Sequence, residues 1–180
     1  MKMLRLVATG TAVLVVGGCD SRSAFAPTHV DYAGAPALAA AAASGQVDVS
    51  GPFDAIVDFS TLSLTPRGSN CLLQVDGRFV FHGAIDGVAM GHTTALVFGT
   101  CEQVASTPPG TDPDVFVSEA TFDGTVAGVP AQAKVLYQGR VAPGGHIDGH
   151  LHFSNGVSGV LDAEAQVAVG GTYHGSLVVH

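Results

Sequence analysis

From Phe53 to the C-terminus, apolar and polar residues alternate with a period of two. This period places successive side chains on opposite faces of a β-strand. Turn sequences such as Pro66-Arg67-Gly68 and Asn155-Gly156 separate the alternating segments. The pattern predicts eight strands, at 53–65, 71–86, 87–101, 115–124, 130–139, 146–154, 158–169 and 171–179.

Short turns between successive strands favour an antiparallel meander, and an even number of strands can close into a barrel without free edges. Glycines recur inside the predicted strands, for example Gly83 with Gly87 and Gly145 with Gly149. Such glycines allow the bends and bulges that a small closed barrel needs. The sequence therefore predicts an all-β fold, a single small antiparallel barrel over residues 47–180.

The N-terminus has a different pattern. Lys2 and Arg5 precede residues 6–16, which are uncharged and mostly apolar. As a helix this run would rise about 16 Å, too short for the roughly 30 Å hydrocarbon core of a bilayer. A positive start and a short apolar run are typical of a secretory signal peptide. The run ends in Val16-Gly17-Gly18-Cys19, which resembles the lipobox of bacterial lipoproteins.

This resemblance implies transfer of a diacylglycerol to the sulfur of Cys19, cleavage after Gly18, and acyl chains such as palmitate that hold the protein on a membrane. A secreted protein cleaved near 24–26, with an incidental cysteine, is the alternative. We expect a signal peptide at 1–18 and an acylated, flexible Ala-, Ser- and Pro-rich tether at 19–46. Asp20 resembles the inner-membrane retention signal of lipoproteins in enteric-type envelopes. In other envelopes this residue means little, so the sequence does not decide which membrane holds the protein.

Charge excludes some partners. Of the 7 Lys and Arg residues, Lys2 and Arg5 lie in the predicted signal peptide, which leaves 5 basic against 15 acidic residues and a formal charge of −10. Nucleic-acid binding needs a basic surface, so no nucleic-acid partner is expected. The predicted partners are the membrane, through lipidated Cys19, and a small apolar ligand.

Cys71 and Cys101 are the cysteines that follow the tether. Outside the cytoplasm such a pair favours a disulfide, although free thiols or a metal pair fit the same spacing. A long hairpin with Asp86-Gly87 at its tip would bring them together. A second tight turn at Asp76-Gly77 would leave them about 33 Å apart. We therefore expect the long hairpin, with a bulge at Asp76-Gly77.

A glycine-punctuated pattern begins at Phe81 (FHGAIDGVAMGHTT) and continues through FDGTVAGVPAQAKVLYQG, GGHIDGHLHFSNGVSGVLDAEAQV and GGTYHGSLVV. Over residues 79–180 it resembles bacterial domains of unknown function that share the allene oxide cyclase-like barrel. The resemblance implies eight antiparallel strands around a lined interior. No catalytic residue of the plant cyclase matches a position here, so its isomerase activity is not carried over.

His146, Asp148, His150 and His152 alternate along one predicted strand and share a face. Same-face imidazoles about 6.5–7 Å apart can chelate one ion, so the row is a candidate zinc site. A histidine beside a carboxylate is also a candidate general base. The opposite face of this strand is apolar and should fill the barrel, so we expect the histidines to face solvent.

His92 is the exception among the histidines. It shares a face with the apolar residues Val88, Met90, Leu96 and Phe98. We therefore expect it to point inward, as a core or ligand-binding residue.

The chain carries no nucleophile elbow, phosphate-binding glycine loop, C-x-x-C or H-E-x-x-H motif. The expected function is therefore that of a membrane-anchored envelope lipoprotein without an assigned reaction, whose barrel binds a small apolar ligand or an envelope partner. An isomerase or cyclase, by analogy of fold, and a zinc-binding protein are the alternatives.

Overall fold

The computed structural model describes residues 45–180, so the predicted signal peptide, lipobox and most of the tether lie outside the described residues. Within residues 45–180, none of the helical structure is long and apolar enough to cross a bilayer. Eight strands and one short helix are formed: β1 (Gln46–Arg67), β2 (Asn70–Phe81), β3 (Ile85–Val97), α1 (Cys101–Ser106), β4 (Asp114–Val126), β5 (Val129–Val141), β6 (His146–Ser154), β7 (Val157–Gln166) and β8 (Gly170–Val179).

The strands form one closed antiparallel barrel. Each strand pairs with the next one in the chain, and β8 pairs with β1 to complete the ring. All eight predicted strands exist, and the prediction of an all-β antiparallel barrel is confirmed.

The first strand is longer than predicted. It begins at Gln46 instead of Phe53, because residues 46–54 pair with β8 while residues from Phe53 onward pair with β2. β1 therefore pairs with β8 along one edge and with β2 along the other, and in this way it closes the ring. The pairing with β8 joins opposite ends of the domain sequence, so a local pattern does not reveal it.

The long hairpin of β2 and β3 is present, but its turn was misplaced. The turn lies at 82–84, since Asp86 and Gly87 already pair with β4. The predicted bulge at Asp76-Gly77 is also wrong. Both residues pair regularly with β3, and the irregularity lies in β1, between Asp58 and Ser63.

Cys71 and Cys101 form a disulfide, with their Cα atoms 4.9 Å apart. Cys71 pairs with Val97 near the end of β3, and Cys101 is the first residue of α1. The helix begins behind Thr100, whose side chain accepts a hydrogen bond from the Gln103 N–H. The disulfide therefore fastens α1 to the rim of the barrel.

One end of the barrel is filled by aromatic rings. Phe81 is 1% exposed and packs edge-on or tilted against five rings at centroid distances of 5.7–6.5 Å: Phe53, Phe79, Phe122, Phe153 and Tyr173. The Tyr173 hydroxyl donates to the His82 carbonyl at 2.8 Å and accepts from the Ile85 N–H at 2.9 Å, so it ties the β2–β3 turn to the core.

Large and small side chains alternate across neighbouring strands. Phe79 pairs with Ala89, Ala89 with Phe122, and Phe122 with Ala133. A ring on one strand thus fills the space left by an alanine on the next, which allows dense packing inside a narrow barrel. The small inward residues of β3 are a consequence of this alternation.

Candidate ligand cavity

A cavity of about 460 Å³ opens at the end of the barrel that carries α1. Its walls come from the inward faces of β1 to β7, from α1 and from the loops 107–112 and 166–168. Some of the inward side chains here are small, such as Ala55, Ala95 and Ala165, and they leave space between the larger side chains of the wall. The two ends of the barrel therefore differ, one packed with rings and the other hollow.

The floor of the cavity is aromatic. The ring of Tyr137 contacts Phe116, Phe79 and Phe53 at centroid distances of 5.0, 5.6 and 6.0 Å. All four side chains line the cavity, and all the contacts are edge-on. Such a floor offers an apolar ligand extensive van der Waals contact.

Tyr137 is held there by a gap in the neighbouring strand. Its side chain comes from β5, and a Cβ placed on Gly149 of β6 would lie 2.8 Å from the ring atom Cε2. Any side chain at position 149 would therefore displace the ring. Tyr137 is 2% exposed, and no group among residues 45–180 forms a hydrogen bond with its hydroxyl. Burial first, and the negative charge of Asp148 second, raise the pKa of this hydroxyl.

Asp114 is the second polar group of the cavity wall without a partner. It is the first residue of β4 and faces inward in phase with Phe116 and Ser118. Within the described part of the chain its Oδ1 atom has no hydrogen-bond partner. Burial raises the pKa of Asp114 from 3.8 to about 7, because the apolar surroundings disfavour the charged form.

Two hydroxyls of the wall pair with each other. Thr93 on β3 and Ser118 on β4 are directly opposite in the register, and their side-chain oxygens lie 2.6 Å apart. The described residues that line the cavity include no Lys, Arg or His, whereas they include Asp112 and Asp114. The described lining of the cavity is thus mostly apolar, with two carboxylic acid side chains and no cationic one.

The raised pKa of Asp114 predicts a specific pH dependence. Between pH 3.8 and 7 the folded protein holds a proton that the unfolded chain releases, so stability falls as the pH rises and the loss is complete above 7. We expect this loss to be about 1–3 kcal/mol, less than the full linkage value because the cavity opens to solvent. Asp114→Asn should remove it, measured by urea unfolding of the full chain at pH 4 and pH 8.

The matched control is Glu119→Gln, which changes an exposed carboxylate on the outer face of the same strand. This variant should retain the wild-type difference between the two pH values. An equal difference in Asp114→Asn would show that the Asp114 carboxyl is not the group responsible.

His92 lies on the outside of the barrel, so the prediction that it points inward is wrong. Its Nδ1 atom is 2.7 Å from Oδ1 of Asp76, and about half of its side chain is exposed. The inner face of β3 instead presents small residues such as Ala89 and Ala95, because rings from the neighbouring strands occupy the interior. His92 is not part of the cavity lining.

The histidine row of β6 faces outward, as the alternation of the strand predicts. His150 pairs with Asp162 of β7 at 2.9 Å, and His174 of β8 approaches the other oxygen of Asp162 at 3.6 Å. His146 lies 3.4 Å from Asp148, and the ring of His152 is centred 6.5 Å from that of His150.

Several of these side chains border an outer groove of about 650 Å³, whose wall also includes Arg140, Val115 and Val117. Across residues 45–180, no three His, Cys, Asp or Glu side chains are placed to hold a metal ion together. The structure therefore gives the zinc hypothesis no support.

The polar residues of the cavity were missed by the sequence analysis. Tyr137 and Asp114 belong to no sequence motif. The signal that could have found them is their position in the alternation, on the same face of the strand as inward apolar residues. Tyr137 is in phase with Ala133 and Val135, which are inward, and Asp114 is in phase with Phe116. A polar residue on an otherwise apolar face is the feature that distinguishes both.

No protein-family model and no curated protein matches this chain. Among solved structures, a crystal structure of a protein of unknown function from the DUF3224 family of Shewanella oneidensis MR-1 is similar, with a TM-score of 0.51 and 15% sequence identity. The match covers 76% of this chain and 99% of that one. At this identity the similarity supports the fold alone.

Proposed function

We propose that this protein is a lipid-anchored envelope lipoprotein whose barrel binds a small, mostly apolar ligand in the cavity at the α1 end. The observation that carries the binding proposal is the cavity itself, about 460 Å³ with an aromatic floor and mostly apolar walls. Ligand pockets of proteins are mostly apolar, measure about 300–1,000 Å³ and contain a few placed polar groups. The resemblance to allene oxide cyclase-like barrels, which implies a lined interior, supports the same proposal.

The anchoring part of the proposal is supported by the residues Val16-Gly17-Gly18-Cys19 and by the polar stretch that follows them. A tether of 19–46 as a flexible coil would span on the order of 30 Å. The cavity would then work close to the membrane, where apolar molecules are concentrated. Mass spectrometry of the native protein should find acyl chains on an N-terminal Cys19.

The binding proposal is tested with a photoreactive hydrocarbon, an alkyl diazirine, added to membranes that contain the full chain. The expected result is labelling of peptides from the cavity wall. Ala95→Leu places three extra carbon atoms inside the cavity and should reduce this labelling at least tenfold. Thr94→Leu adds bulk on the outer face of the same strand and should leave the labelling within twofold.

Melting curves of both variants establish that each is folded. Labelling confined to the outer face of the barrel, or equal labelling in Ala95→Leu and Thr94→Leu, would contradict binding in the cavity.

A further inference from the structure

The loop 107–113, between α1 and β4, lies at the hollow end of the barrel and is fastened on both sides. Its Pro113 carbonyl accepts a hydrogen bond from the Phe98 N–H at 3.0 Å, and its Gly110 carbonyl accepts one from the Gly144 N–H at 3.0 Å. These bonds join the loop to the end of β3 and to the turn between β5 and β6. The loop is therefore a fixed part of the cavity mouth.

Asp112 is the carboxylate that this loop brings to the cavity. It belongs to the lining and is partly exposed, so solvent or a ligand can reach it. Its Oδ2 atom accepts a long hydrogen bond, 3.5 Å, from the Thr107 hydroxyl. Each ion pair formed within residues 45–180 joins a histidine to another aspartate, and none of them includes Asp112. Its charge is thus available to a ligand.

The charged groups of the described lining have one sign. Asp112 and Asp114 are present, and no Lys, Arg or His is. The Oδ1 atom of Asp114 is closed to solvent, so this carboxyl acts on a ligand through its charge at a distance. It does so above pH 7, because burial raises its pKa to about 7. Low-dielectric walls concentrate the field of such charges, so the cavity attracts cations and repels anions.

The rings beside these carboxylates favour one kind of cation. Phe59 lines the cavity and is 53% exposed, and the aromatic floor lies below the mouth. Aromatic rings attract cations, and quaternary ammonium groups are the ligands that aromatic sites are known to recognise. A primary ammonium brings three N–H donors that need acceptors, yet the wall hydroxyls of Thr93 and Ser118 already pair with each other. An alkylated ammonium has no such need.

We infer that the ligand is an apolar molecule that carries an alkylated ammonium group, with the cation at the cavity mouth beside Asp112 and the apolar body over the aromatic floor. The inference rests on the proposed function, because it specifies the ligand class of the same cavity. It makes Asp112 a specificity-determining residue.

The test uses the full chain in phosphatidylcholine vesicles at pH 8, with the hydrocarbon diazirine as the probe of the cavity. Three competitors are compared at equal mole fraction in the membrane: decyltrimethylammonium, its uncharged carbon isostere 2,2-dimethyldodecane, and decane-1-sulfonate. We expect the cation to suppress labelling of the cavity wall at a concentration about tenfold lower than the isostere, as a cation–aromatic contact and one ion pair together provide. The anion should be the weakest competitor.

Asp112→Asn removes the charge at nearly constant shape and should reduce the advantage of the cation over the isostere to about threefold or less. Asp123→Asn is the matched control, because it makes the same change of charge at an exposed position on the outer face of β4. It should leave the advantage unchanged to within about twofold. Melting curves establish that both variants are folded.

A second measurement needs no variant. Salt screens interactions between partly exposed charges, so added sodium chloride should reduce the advantage of the cation in the wild-type protein. Competition by the uncharged isostere should stay nearly constant over the same range of salt.

The outcomes separate the two proposals. If the probe labels the cavity and the cation and its isostere compete equally, the proposed function stands and the inference is overturned. Stronger competition by the sulfonate, an unchanged advantage of the cation in Asp112→Asn, or an advantage that salt does not reduce also overturns it. If the probe does not label the cavity at all, the proposed function itself fails, and the inference fails with it.

Discussion

Phe81→Ala is expected to lower the free energy of unfolding by about 3–5 kcal/mol, the range for a fully buried ring truncated in a core that relaxes little. Phe81 is 1% exposed, and its ring is central among five other rings. Its removal leaves a space that these rings cannot fill without leaving their rotamers. Urea unfolding of the full chain, followed by circular dichroism in the far ultraviolet, measures the change.

Leu73→Ala is the matched truncation at the hollow end. Leu73 is partly buried and lines the cavity, so one side of its side chain has no protein neighbours to lose. We expect a cost below about 2 kcal/mol, since little new cavity surface is created. An equal loss of unfolding free energy in the two variants would mean that both ends of the barrel are packed alike. This would contradict a barrel with one packed and one hollow end.

Removal of the disulfide by Cys71→Ser/Cys101→Ser is the other change with a large expected effect. The two residues are 30 positions apart, and closing a loop of that length contributes about 3–4 kcal/mol in the chain-entropy model. The double variant should lose that much stability. Wild-type protein kept in dithiothreitol should show the same loss, whereas dithiothreitol should leave the variant unchanged.

The disulfide also bears on the cavity. Cys101 begins α1, and Val104 and Ala105 of this helix line the cavity. Release of the helix from β2 removes part of the wall, so labelling by the hydrocarbon diazirine should fall together with stability. Full labelling in a folded double variant would show that α1 is dispensable for binding.

The sequence alone predicted the architecture because strand formation is a local property. All eight strands were placed from alternation and turn residues, and the cysteine pair was confirmed as a disulfide. One error is the helix α1, which begins at Cys101, where the sequence predicted the end of a strand at 87–101. The other errors concern pairing. The start of β1 at Gln46 depends on β8, and the turn at 82–84 depends on how Asp86 and Gly87 pair with β4.

The candidate site was much less predictable. His92 was assigned to the interior because its face of β3 carries larger apolar residues, yet the interior accepts the smaller ones. The space on that side is already taken by rings such as Phe79 and Phe122 from the two adjacent strands. Which face of a strand turns inward depends on the total volume of the side chains that the neighbouring strands place inside the barrel. The pattern of one strand does not give this total.

What the sequence by itself determined is therefore the set of strands, their antiparallel order and the cross-link between Cys71 and Cys101. The tertiary structure alone decided that one end of the barrel is packed and the other hollow. It also decided that Tyr137 and Asp114 line the hollow end, each with a buried oxygen that has no hydrogen-bond partner among residues 45–180. The reason is that alternation is encoded residue by residue, whereas a cavity is the volume that side chains from seven strands jointly fail to fill.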